Sequence, residues 1–518
     1  MRLVRGYKYL KQNDKLGSIA DINELLTTTE VVNLKGKVSQ IIFANSIDNY
    51  EIIIRQFLLS HLCGAALNRA ILCSLGKGGS KVLYPMPLVW RSIIKSQGYK
   101  VSKVSSLLWV AYVTAYLCYG IFSLIRQNVI NLKSIIRQPK IAGNYVYFDG
   151  LSIDQVHCRE KSKTCHNIVS WYRKSSVRIK SIDKYCHNVS QFKEDAPNDN
   201  DTMYVNSPIF PLSKFKEFLI YLILSGVAFV SLIRDVLFWR WWNILMLKEA
   251  SLSLVARIHN PKTLAREYLF NNSSYIYRPL WTYEAEAKGS KITLYFYSTN
   301  CELFKNNKGV GKIMLGYQAM TWPYYLVWDK YQKDFIYRAV GKNNEVLDVG
   351  CIWFTSNNKD IDAPLNSISV FDVPPYRQTI YILLGAEIEY YVPEIVNQFL
   401  NDIQIVLNQK NISMLHKQKR VSKLTHKKYI RNIKYLNNKS NYVEIDPSVD
   451  AFQVIQKVKA CISMPFTSTA LIARSEGKPS IYYDPSGIVQ KDDKAAHGIP
   501  ILSNINELEE WVENINNE

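Results

Sequence analysis

Three hydroxyl residues in a row, Thr467, Ser468 and Thr469, follow an apolar run at Cys461 to Met464 and a break at Pro465. Ala470 to Glu476 then reads as helix, closed by Gly477 and Pro479, and Ser480 to Tyr483 reads as a strand. A helix N-terminus presents unpaired N–H groups and partial positive charge, so hydroxyls on its first turn make a seat for phosphate. Ser463, Pro465 and Phe466 complete that turn. An N-cap alone is the other reading of the same spacing.

Other chemistry-bearing residues stand at strand ends. Tyr145 to Phe148 reads as a short strand ending in Asp149-Gly150, which puts a carboxylate on the rim where α/β sheets bind ligands. His416, Lys417, Lys419 and Arg420 leave a strand at its C-terminal end, and nine Lys or Arg with no acid lie between 416 and 439. Such cations can neutralise phosphate or form a solvated face. Glu444 and Asp446 end the next strand and can accept from ribose hydroxyls or a base, while Asp372 and Arg377 sit at the mouth of the strand at 368. His157-Cys158, Cys165-His166 and Cys186-His187 lack the two-to-four-residue spacing of structural zinc ligands. No Asp-x-Asp pair stands in a setting that demands a divalent ion, so neither metal nor cofactor is expected. GKGGS at 76–80 lacks the Lys-Ser/Thr ending of a Walker A loop and reads as a turn.

PFTS in this setting resembles the signature of the bacterial polysaccharide biosynthesis PFTS-motif family. With its flanks it is also similar to the donor domain of GT-B glycosyltransferases that use CMP- or CDP-activated donors, among them sialyltransferases and Kdo transferases. That resemblance implies that the Ser/Thr loop holds the nucleotide phosphate. It makes Asp149 the general base for an acceptor hydroxyl, with Phe148 standing where the sialyltransferases often have another acid. It puts His416 in the place of a histidine-containing nucleotide loop, with Lys417 replacing the usual proline.

Those residues need elements to carry them. From Lys291 the chain alternates strand and helix: strands at 292–298, 324–328 and 345–354, a helix over 329–337, then a polar stretch at 356–364 suited to a linker. A second set follows: the stretch 368–377 starts a fresh sheet, with strands near 412–420 and 442–447 and helices over about 393–409 and from Ala451. This rhythm predicts parallel sheets with right-handed crossovers. Val38 to Ala44 and Lys81 to Tyr84 are further strand candidates. The expected fold is α/β and GT-B-like: two Rossmann-like domains facing a cleft, an acceptor-side domain over 1–360 and a donor-binding domain over 367–518.

Composition sets the class. The 518 residues are 47% hydrophobic and 12% aromatic, which excludes a mainly disordered chain, and 64 Lys and Arg against 44 Asp and Glu give +20. Such a charge implies an anionic partner. No helix-turn-helix, zinc finger or interleaving of aromatic and basic residues points to nucleic acid. Nine scattered cysteines and a polar, basic start suit a reducing cytoplasm. Val104 to Ile125 holds 22 residues without a charge, and Phe218 to Ile233 holds 16 before an aromatic cluster at 238–242. These apolar insertions, about 104–125 and 218–247, can be interfacial helices, core helices or spans; basic residues on both sides of the first suit a helix lying in the interface.

The function these features imply is transfer of a sugar from a nucleotide-activated donor, CMP-linked by resemblance, to a lipid-linked or growing glycan. The setting is capsule or O-antigen synthesis at an anionic inner membrane face. A CDP-alcohol phosphotransferase of similar fold and a non-catalytic basic membrane-associated protein are the alternatives.

Overall fold

The computed structural model describes the chain apart from residues 1, 14, 16–17, 33–36, 77–79, 138–143, 152–155, 157–167, 190–200, 272–276, 297–301, 303–304, 306–312, 353–360, 377–389, 419–423 and 518. Two wholly parallel sheets organise it. The first holds β1 (Tyr145–Asp149), β2 (Lys184–His187), β3 (Thr202–Tyr204), β4 (Glu267–Asn271), β5 (Lys291–Tyr295), β6 (Tyr324–Val327) and β7 (Glu345–Asp348). Its spatial order is β3-β2-β1-β4-β5-β6-β7. The second holds β8 (Ser367–Asp372), β9 (Ser413–Gln418), β10 (Tyr442–Ile445), β11 (Ala460–Ser463), β12 (Ser480–Tyr483) and β13 (Ile501–Leu502), ordered β10-β9-β8-β11-β12-β13. Each sheet therefore grows outward from its first strand in one direction and then reverses, the doubly wound plan. Two such sheets in one chain form the α/β, GT-B-like arrangement.

Parallel strands are covered on both faces, so their residues alternate between two cores rather than between core and water. On β1, Tyr145 and Tyr147 join the core beneath the N-terminal helices, while Val146 and Phe148 join the core that continues into the second sheet. The lead-in before β1 is helical: α1 (Arg2–Gln12), α2 (Ser18–Val32), α3 (Gln40–Phe43), α4 (Tyr50–His61), α5 (Ala65–Leu75), α6 (Leu88–Ser96) and the long α7 (Val104–Arg137). After β1 come α8 (Ile168–Lys174), α9 (Phe215–Leu237), α10 (Trp241–Ile258), α11 (Leu280–Ala287), α12 (Leu315–Gln318) and α13 (Lys330–Val340). The second half adds α14 (Pro393–Gln409), α15 (Lys427–Leu436), α16 (Ala451–Gln456), α17 (Ser468–Ser475) and α18 (Ile505–Asn517).

Three sequence expectations are corrected here. Val38 to Ala44 is not a strand, because its apolar residues bury one face of α3, where Ile42 and Phe43 are enclosed. Lys81 to Tyr84 makes only an isolated bridge, Val82 to Val101. The apolar stretch at 218–247 breaks at residues 238–240 into two helices, of which α9 is largely exposed and α10 largely buried. The zinc candidates at 157–158 and 165–166, and most of the 356–364 stretch, lie outside the described residues. Cys186 and His187 belong to β2, where Cys186 is enclosed in the core and burial pushes its thiol up to about 12. Among the described residues no cluster of three or more His, Cys, Asp or Glu is placed to hold a metal ion.

Candidate functional site

In a doubly wound sheet ligands bind outside the carboxyl ends of the strands, where the strand order reverses. In the second sheet that point lies between β8 and β11, and the PFTS turn leaves β11 there. The Met464 amide donates to the Phe371 carbonyl at 2.9 Å, pinning the turn beside Asp372. In the first sheet the reversal lies between β1 and β4, and Asp149 is the last residue of β1, in register with Phe270. Two residue groups far apart in sequence thus occupy equivalent positions on the two sheets.

The turn is held from inside. Phe466 adopts φ +63°, a left-handed conformation that costs a bulky residue about 1–2 kcal/mol. Its ring is buried and packs edge-on to Tyr482 at 5.9 Å. The Tyr482 hydroxyl donates to the Thr467 carbonyl at 2.8 Å, and the Tyr391 hydroxyl donates to the Pro465 carbonyl at 3.0 Å. Thr467 Oγ1 is buried and donates to the Met464 carbonyl at 2.9 Å, and Ser463 Oγ and Thr469 Oγ1 lie 2.8 Å apart. Thr467 occupies the N-cap position of α17 without a side-chain cap bond.

The expected three-hydroxyl seat is thereby corrected. Ser463 and Thr467 shape the turn from within, and the Thr469 hydroxyl is bonded to both. Ser468, half-exposed at the first residue of α17, carries the hydroxyl best placed for a ligand. The helix begins two residues earlier than its sequence suggests, so Ser468, Thr469 and Ala470 supply the first-turn amides that no helix satisfies internally.

His416 and Asp372 form a buried polar group. His416 Nδ1 lies 2.6 Å from the Tyr442 hydroxyl, its Nε2 stands 3.3 Å from Asp372 Oδ2, and the Tyr429 hydroxyl donates to that same oxygen at 2.6 Å. Burial, with Glu444 and Asp372 adding to it, pushes the Tyr442 hydroxyl far above its ordinary range. Tyr442 therefore keeps its proton, and its hydroxyl and His416 Nδ1 share one hydrogen bond. His416 has no exposed surface. The sequence expectation of a histidine touching the substrate is corrected to one of a residue fixing the ends of β8, β9 and β10.

The remaining candidates separate. Lys417 is buried, which lowers its pKa against the opposing pull of Asp450, Asp372 and Asp446. Glu444 sits on the edge strand β10, two strands from the reversal, and accepts from Gln418 at 2.7 Å and Asn437 at 2.9 Å. Asp446 accepts from the amide and hydroxyl of Ser448, closing a turn. Arg377, Lys419 and Arg420 lie outside the described residues. Asp149 is half-exposed, with Oδ1 3.3 Å from both the Tyr147 hydroxyl and Asn188 Nδ2. Gly150 follows at φ +77°, a turn conformation glycine adopts without steric cost.

Sequence reasoning missed Asp484, Tyr390 and Tyr391. Asp484 is fully buried at the end of β12 and accepts from Tyr390 at 2.8 Å, from the amide and hydroxyl of Ser486, and from the Val489 amide at 2.7 Å. Tyr391 follows Tyr390, so the carboxylate that anchors one tyrosine helps aim the other at the PFTS turn. The Asp-Pro after a strand was the available signal.

A sequence model described as "Polysaccharide biosynthesis PFTS motif protein" matches residues 228–512, more than half of the chain. The chain belongs to this family. The match takes in the whole of the second sheet and the strands from β4 onward. No curated protein matches. Among solved structures the chain is similar to the wall teichoic acid polymerase TagF (10% identity, 76% of this chain and 89% of that one, TM-score 0.38). It is also similar to TarM (11%, 53% and 54%, TM-score 0.32) and to UGT89C1 of Arabidopsis thaliana (11%, 66% and 79%, TM-score 0.34).

Proposed function

We propose that the chain is a glycosyltransferase of surface-polysaccharide synthesis, working without a metal ion and moving a sugar from a CMP-activated donor to a lipid-linked or growing glycan, as in capsule or O-antigen. The observation that carries this reading is the PFTS turn at the strand reversal of the second sheet, with the first amides of α17 behind it. Residues 367–518 would bind the donor and residues 1–360 the acceptor. As the bond between the sugar's anomeric carbon and the phosphate oxygen breaks, the electron pair leaves with the nucleotide. The α17 N-terminus and Ser468 stabilise that charge, with Lys417 and, by their place in the sequence, Lys419, Arg420 and Arg377 as the cations proposed to assist. The acceptor oxygen bonds to the anomeric carbon and gives its proton to Asp149, whose carboxylate is oriented by Tyr147 and Asn188.

A thermal-shift screen against CMP, CDP, UDP and GDP tests the donor site, and cytidine nucleotides are expected to raise the melting temperature most. Asp149→Asn is expected to abolish transfer while leaving that shift intact, and transfer is expected to survive EDTA. Parental transfer rates in the Asn variant would remove the base assignment. Turnover of CDP-glycerol in place of a CMP-sugar would move the protein to the phosphotransferases.

A further inference from the structure

Helices α7 and α9 are long and apolar enough to cross a membrane, and only 22% of the most apolar stretch of each is buried. The fold forbids the crossing. If α7 alone crossed, residues 1–103 would lie opposite the sheets. Yet Asn45 donates to Glu284 at 2.6 Å and Gln56 donates to the Ala319 carbonyl at 2.6 Å, both on the sheet side. If α9 crossed, with or without α7, then β1, β2 and β3 would be separated from β4 by the bilayer. Yet β1 and β4 are hydrogen-bonded neighbours over four registered pairs. No assignment of spans to these two helices is compatible with one continuous sheet.

The same helices are not core helices either. Both pack one stripe onto the buried α10. Trp109 meets Trp241 edge-on at 5.2 Å, the Tyr221 hydroxyl donates to the Ser251 carbonyl at 3.2 Å, and a Cβ on Gly120 would collide with Leu247. Away from that stripe they present Leu107 (69% exposed), Phe122, Ile223 and Val230 (66% exposed) to the outside. The 34 residues of α7 include no acid, and exposed Lys103, Arg126, Lys133, Lys214 and Arg234 border the apolar surface of the pair.

We infer that α7 and α9 lie side by side in the surface of an anionic bilayer, as a two-helix raft that enters one leaflet and crosses nothing. An apolar face about 50 Å long on α7, edged by cations, matches acyl chains beneath anionic headgroups better than it matches a protein partner. The inference does not depend on the transferase reading, since its test reads lipid binding.

The protein is floated with vesicles of phosphatidylcholine alone and with roughly 30% phosphatidylglycerol, at low and high salt. It is expected to float with the anionic vesicles and less with the neutral ones. A variant carrying Leu107→Gln, Phe122→Gln, Ile223→Gln and Val230→Gln is expected to keep its circular dichroism and melting temperature and to lose binding at least about tenfold. Undiminished flotation of that variant would overturn the raft. So would a lipid-free dimer that the variant disperses when the parent does not float, since a second copy would then cover the face. Cysteines introduced at 104 and 136 are expected to react equally with an impermeant thiol reagent on sealed vesicles, scored by peptide mass; protection of one end alone would show a span.

Discussion

Ser468 and Thr467 are adjacent and chemically alike, but the turn gives them opposite tasks. The Thr467 hydroxyl is consumed by the Met464 carbonyl, whereas the Ser468 side chain stands half-exposed at the first residue of α17. Ser468→Ala is therefore expected to weaken nucleotide binding about tenfold, the worth of one hydrogen bond to a charged group, with no change in melting temperature. Thr467→Ala is expected to cost about 1–2 kcal/mol of stability by removing a buried hydroxyl that bonds both the Met464 carbonyl and the Thr469 hydroxyl, while the Thr467 amide stays on that carbonyl. Urea melts and calorimetric titrations separate the two; the opposite pattern would put Thr467, not Ser468, against the ligand. The cluster of hydroxyls was legible in the sequence, and its internal wiring was not, because which hydroxyl faces inward depends on where the helix starts and on the left-handed Phe466. His416 shows the same limit: a histidine at a strand end was readable, but its enclosure by Tyr429 and Tyr442 comes from elements later in the chain.

At the scale of elements, strong local signals were read closely. Proline at the first position and an amphipathic pattern place α14 at Pro393–Gln409, and β12 at Ser480–Tyr483 follows the Gly-Lys-Pro break. The strands that escaped notice lack such signals. β4 is buried at all five positions, so it shows no alternation, and β13 has only two residues. The apolar helices were visible as runs without charge, but which face packs inward was not. Gly120 settles that for α7, since its missing side chain lets the helix close on Leu247 of α10. Gly120→Val is expected to force the pair apart and cost about 1–3 kcal/mol, measured by denaturant unfolding. A neutral outcome would mean that α7 is only loosely seated.

At the scale of the whole molecule, the two sheets are joined by a polar clasp that no motif announced. Asp329 caps α13 through the amides of Tyr331 and Gln332, holds His497 Nδ1 at 2.9 Å and receives Arg474 Nη2 at 3.1 Å. Arg474 also donates to the His497 carbonyl at 2.6 Å, and the Lys305 amide reaches Asp493 at 2.8 Å. Burial pushes the Asp329 carboxyl up, but its bond to His497 and the charges of His497 and Arg474 outweigh that and hold its pKa below the ordinary value. Because the folded pKa is the lower one, its stabilisation is present above about pH 4 and is lost as pH falls through the folded value. Asp329→Asn is expected to destabilise the protein by about 1–3 kcal/mol at neutral pH, with the gap from the parent closing below about pH 4. A gap that persists in acid would assign the effect to packing instead of charge.

Arg474 belongs to α17, the helix whose opposite end begins at the PFTS turn. Eight residues make a strut of about 12 Å, too short to bend, so a shift at either tip moves the other. If the PFTS turn holds the donor as proposed, the arrival of a nucleotide at one tip and the tightening of the joint at the other would be a single mechanical event, and Asp329→Asn is then expected to weaken CMP binding from a distance. Unaltered CMP affinity in that variant would show the two tips to be independent.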